Sequence, residues 1–119
     1  MRFLNLSLAA GLLAGTTASG FAADVMAPKD IQASFFNGQP FTASTPSNIK
    51  YTMTAMPDGK ITREPVGKAG VKGEGTWKLS KDGFCTAWKG SQSNCFRLLA
   101  GDKTWSVMKG TTLLAVWTK

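Results

Sequence analysis

Histidine is absent from these 119 residues, and acids are scarce, with 7 Asp and Glu against 14 Lys and Arg. Without histidine there is no Ser-His-Asp or Cys-His nucleophile pair, no histidine-ligated catalytic zinc, and no side chain that ordinarily titrates near neutrality. A short set of carboxylate or lysine mechanisms survives, and so does binding. Cysteine occurs only at Cys85 and Cys95, and tyrosine only at Tyr51. Long apolar runs are missing too, apart from one near the start.

That run, Phe3 to Ala14, follows the single cation Arg2 and precedes small residues ending in Gly20-Phe21-Ala22-Ala23. The order is that of a secretory leader. Asn5, Ser7 and Gly11 interrupt it, so it falls short of the roughly 20 apolar residues that span a bilayer. The reading is a signal peptide over 1–23 and a single β-rich domain over 24–119. No cysteine lies near the cut to accept a lipid, and no transmembrane segment follows. The mature chain is therefore expected to be soluble, in the periplasm or secreted. Loss of Arg2 leaves 13 cations against 7 acids, an excess of +6.

What is present points to strands. Pro28-Lys29-Asp30 followed by Ile31, Phe35 and Phe36 predicts a helix of two or three turns, with proline in its first turn and an acid near its positive end. Gly38 and Pro40 stop it. From Phe41 the pattern turns to period two, and Ile49, Tyr51, Met53 and Ala55 alternate with polar residues as one strand. Pro57-Asp58-Gly59-Lys60 is a turn, and Lys60 to Glu64 returns from it. Gly67 to Gly75 reads as a flexible loop or a weak, bent edge. Short strands then recur between Lys81-Asp82-Gly83, Gly90 to Ser93, Gly101-Asp102-Lys103 and Lys109-Gly110. The fold class is mainly β: an antiparallel meander of six to eight strands forming a small barrel or strongly bent sheet, its short helix plugging an end or covering a face. The four tryptophans, Trp77, Trp88, Trp105 and Trp117, are expected to bulk out its core.

In an exported chain the two cysteines predict a disulfide. Cys85 and Cys95 are equidistant from Gly90, so a turn centred there sets them directly opposite, with an expected Cα separation of about 4.5 to 5.5 Å. Closing so short a loop should contribute roughly 2.5 to 3 kcal/mol. The spacing is not C-x-x-C, and no histidine joins the pair as a metal ligand.

Few residues suggest chemistry. Asp58, Asp82 and Asp102 each sit beside a glycine in a turn, which leaves Glu64 and Glu74 as the only carboxylate pair for a glycan-processing reaction. The Gly67 segment lacks the order of a phosphate loop, and no metal or cofactor motif is found. Met53 and Met56 fit core packing better than copper binding. Lys60, Arg63, Lys68, Lys72, Lys78, Lys81 and Lys89, interleaved with Trp77 and Trp88, make a candidate basic and aromatic surface. Export removes nucleic acid as its partner. Anionic envelope components or a protein partner take that place.

The stretch G-E-G-T-W-K-L-S-K-D-G-F-C-T-A-W from Gly73, with Phe36-Asn37-Gly38-Gln39-Pro40-Phe41 and Met56-Pro57-Asp58-Gly59, resembles a family of small exported proteobacterial proteins. Its members share a short N-terminal helix, a Gly-x-Trp strand, a Cys-x-x-Trp strand and a second Cys soon after. Trp77, Cys85, Trp88 and Cys95 occupy those positions here. The resemblance covers most of the mature chain and implies compartment and fold rather than an activity. The leading functional expectation is a non-enzymatic periplasmic binding or envelope-associated protein. An inhibitor of a wall-degrading enzyme such as lysozyme, entering an acidic cleft through Gly67 to Gly75, is the alternative.

Overall fold

The computed structural model describes residues 25–119; the leader read over 1–23 and its cut lie outside the described residues. Helix α1 spans Pro28–Phe35, with Pro28 in its first turn and Asp30 beside its N-terminus. Both residues suit that end, because proline gives up an amide that would lack a partner anyway and the carboxylate faces the positive pole. The helix ends where the Asn37 amide donates to the Ala33 carbonyl and Gly38 takes φ +90°. The Gly38 N–H then donates to the Ala55 carbonyl at 2.9 Å, pinning the exit of α1 to the end of a strand. No helix among the described residues is long and apolar enough to cross a membrane.

Eight strands follow: β1 (Phe41–Ser44), β2 (Lys50–Ala55), β3 (Lys60–Pro65), β4 (Gly73–Leu79), β5 (Phe84–Trp88), β6 (Ser93–Ala100), β7 (Trp105–Lys109) and β8 (Thr112–Thr118). Each pairs antiparallel with its neighbour, and β1 pairs with β8 through Thr42, Ala43 and Ser44 against Thr118, Trp117 and Val116. The sheet is thus a closed up-and-down barrel, which leaves no open edge along the ring. A bulge at Val107/Met108 inserts Leu114 into β8. The meander and its helix agree with the sequence pattern. The short strand β1 is a separate element that the pattern did not resolve.

Period-two alternation divides each strand between barrel interior and outer face. Phe41, Ala43, Met53, Ala55, Ile61, Trp77, Phe84, Leu98, Val107 and Trp117 are buried inside. The helix closes one end by driving Phe35 and Phe36 into this interior. Phe35 meets Phe41, Trp105 and Trp117 with ring centroids 5.0 to 5.1 Å apart, and Phe36 meets Trp77 at 4.6 Å and Phe84 at 5.4 Å. Trp117 lies between them, 4.6 Å from Phe41 and 5.2 Å from Phe84. Its strand therefore joins the plug to both sides of the barrel. The buried Trp77 indole N–H donates to the Met56 carbonyl at 2.8 Å, so its polar atom is satisfied within the core.

Cys85 and Cys95 are direct partners across β5 and β6 and form the disulfide. Their Cα atoms are 3.9 Å apart, closer than the expected separation, in the expected register. The segment Gly67 to Gly75 divides in two. Residues 66–72 are the connection, whereas Gly73, Glu74 and Gly75 are the first residues of β4, all three paired with β3 and Gly75 also with β5. Their glycines allow close packing rather than looseness. A Cβ on Gly75 would collide with the Ala87 carbonyl of β5 and stand 3.0 Å from the Trp88 Cα.

A candidate ligand cavity at the open end of the barrel

Because the strands simply alternate in direction, the connections 45–49, 66–72, 89–92 and 110–111 gather at the end opposite the plug. There the interior opens into a cavity of about 250 Å³. Met53, Phe84, Phe96, Val107, Leu114 and Trp117 supply most of its apolar wall, and Thr86, Arg63 and Trp88 also line it. A cavity of about 150 Å³ can hold benzene, so this one admits a ligand somewhat larger than a single ring.

Arg63 is the one charged group in the lining. It stands on the inner row of β3, directly across from Met53 on β2 and Gly73 on β4. Its guanidinium carbon lies 4.7 Å from the Trp88 ring centroid and 5.3 Å from that of Tyr51. The Nε–H donates to the Val71 carbonyl at 3.1 Å. Glycine makes this perch possible. A Cβ on Gly73 would stand 2.8 Å from Arg63 Nε, and one on Gly70 would stand 2.8 Å from the Tyr51 ring. The glycine-rich segment therefore seats the arginine and its tyrosine neighbour.

Thr86 is 6% exposed, and its hydroxyl has no hydrogen-bond partner among the described residues. Such a group within an apolar wall costs about 1 to 3 kcal/mol of desolvation unless water or a ligand satisfies it. At the rim the Lys109 ammonium donates to Asn94 Oδ1. Asn94 in turn stands directly across from Thr86.

The candidate basic and aromatic surface is not one patch. Trp77 is buried beneath the plug, and Arg63 and Trp88 turn inward to the cavity. Parity is the reason: each falls on the same side of its strand as a core neighbour, Ile61 for Arg63 and Phe84 for Trp88. The six lysines are exposed, but Lys60, Lys78 and Lys81 lie toward the plugged end while Lys68, Lys72 and Lys89 lie at the open end. The length of β4 separates the groups by roughly 20 Å, about twice the screening length at physiological salt. Glu64 and Glu74 are exposed on the outer face, and Glu64 pairs with Lys72 at 3.7 Å, so neither lines the cavity.

Period two could have placed Arg63, Thr86 and Trp88 on the inner face from the sequence. Ile61 and Arg63 share one parity, as do Phe84, Thr86 and Trp88. Comparison with protein-family models, with curated proteins and with solved structures gives no match for this chain.

Proposed function

We propose that this chain is a non-enzymatic binding protein of the periplasm or the secreted fraction, whose barrel receives a small, mostly apolar ligand through its open end. The observation that carries this reading is the cavity of about 250 Å³, walled by Met, Phe, Val, Leu and Trp side chains, at the end the helix leaves unplugged. Concave, apolar sites with a few convergent polar groups are the usual form of a small-molecule site. The disulfide is consistent with an oxidising compartment.

Trp88 lines the cavity, so its emission reports occupancy. Octan-1-ol, benzyl alcohol and indole are suitable probes, titrated by calorimetry with intrinsic fluorescence as a second readout for the two non-fluorescent alcohols. Saturable binding is expected. Ala115→Leu, which adds three carbons to the cavity wall, should weaken it at least tenfold while leaving the circular dichroism spectrum unchanged. No binding of any probe, or equal binding by the filled variant, overturns the reading.

A further inference from the structure

We infer that the ligand is a small monocarboxylate whose head is held by Arg63 and whose apolar body fills the cavity; the inference rests on the binding reading above and names its ligand class.

Three observations support it independently. The first is the unfinished coordination of Arg63. Of five guanidinium N–H groups, the one on Nε is bonded to the Val71 carbonyl, and the four terminal ones have no partner among the described residues. The only ion pair among those residues is Lys72–Glu64, so no acid neutralises this half-buried cation. Its guanidinium carbon lies over the Tyr51 and Trp88 rings. The two terminal nitrogens form the fork that binds a planar carboxylate through two parallel bonds. Removing a cation from water is costly without a counter-charge, and the ring quadrupoles offset only part of that cost.

The second observation is the distribution of charge between the ends. All three connections at the plugged end carry an aspartate, Asp58, Asp82 and Asp102, whereas the four at the open end carry none and no glutamate. The open-end connections contribute Lys68, Lys72 and Lys89, and Lys50 and Lys109 stand at the rim, against Glu64 and Glu74 on the adjoining strand ends, so cations remain in excess there. An anion approaching this end meets net positive potential before it reaches Arg63.

The third is volume. At about 30 Å³ per water-sized group, the cavity of about 250 Å³ holds roughly eight non-hydrogen atoms. That matches a chain of seven or eight carbons, or a substituted ring, with its carboxylate at the mouth. The body is apolar because Thr86 is the only uncharged polar side chain in the lining.

The test compares octanoate with octan-1-ol, which share a body and differ in the head, by calorimetry on the purified protein. Octanoate should bind at least tenfold more tightly. Arg63→Gln should abolish that preference, read as the ratio of the two affinities within the one variant, while Arg63→Lys, which keeps the charge and loses the fork, should retain part of it. Acetate, a head without a body, should not compete. Equal binding of octanoate and octan-1-ol, or a preference that survives in Arg63→Gln, overturns the carboxylate assignment and leaves the cavity reading standing. Acetate matching octanoate also overturns it, by making this a simple anion site. Failure of both eight-carbon probes overturns the assignment, and if benzyl alcohol and indole fail as well the binding reading falls with it.

Discussion

Arg63 shows how one position changes meaning once its parity is known. By composition it belongs with the lysines around it. By alternation from Ile61 it belongs inside, where the neighbours that hold it are Tyr51, Val71, Gly73 and Trp88. Gly73→Ala tests this arrangement without replacing the arginine, because the new Cβ would press on Arg63 Nε, in a side chain rather than in fixed backbone. We expect folding to persist, the Trp88 emission maximum to move, and octanoate affinity to fall at least fivefold. Phe36 is the contrasting residue, 1% exposed and wedged between Trp77 and Phe84. Phe36→Ala should cost about 3 to 5 kcal/mol in urea unfolding, the usual range for emptying so large a buried site.

At the scale of elements, legibility followed the turns. Strands β5, β7 and β8 fall close to their expected bounds because glycine, with aspartate or lysine beside it, punctuates the chain between them. Strand β1 was hidden, since its four residues are joined to β2 by a connection without glycine. The start of β4 was obscured for the opposite reason. Glycines that resemble a mobile loop are there because neighbouring backbone and side chains come too close for a Cβ. Two substitutions separate these roles. Gly67 has nothing within 4 Å of an added Cβ, so Gly67→Ala should change stability by less than about 0.5 kcal/mol. At Gly75 the obstacle is the β5 backbone, so Gly75→Ala should cost more than about 2 kcal/mol, or prevent folding. The β5–β6 hairpin adds a covalent tie. Replacing both Cys85 and Cys95 with alanine should lower stability by about 2.5 to 3 kcal/mol, measured by urea unfolding against the oxidised protein.

Across the whole molecule, the meander sorts its connections by end. Odd-numbered connections open onto the cavity, while even-numbered ones lie with the helix plug. The barrel class was legible because its strands are short, regular and separated by turns. The cavity was not, because it depends on how eight inner rows meet around a ring, which no single window of sequence contains. Sorting by end also gives an ionic-strength prediction. Octanoate affinity should fall about threefold or more between low salt and 0.5 M NaCl, while octan-1-ol affinity stays level, because only the charged head senses the lysines at the open end.

Ring closure between β1 and β8 sets an order of assembly. Thr42 to Ser44 pair with Val116 to Thr118 at the far end of the meander, so the pairing that removes the last two sheet edges is the most non-local in the barrel and is expected to form late. Trp117, which links the helix plug to the barrel wall, arrives at the same moment. Until that pairing forms, the chain is an incomplete ring. A variant lacking residues 116–119 should remain an open sheet that associates through its edges, seen as a concentration-dependent rise in apparent mass by light scattering.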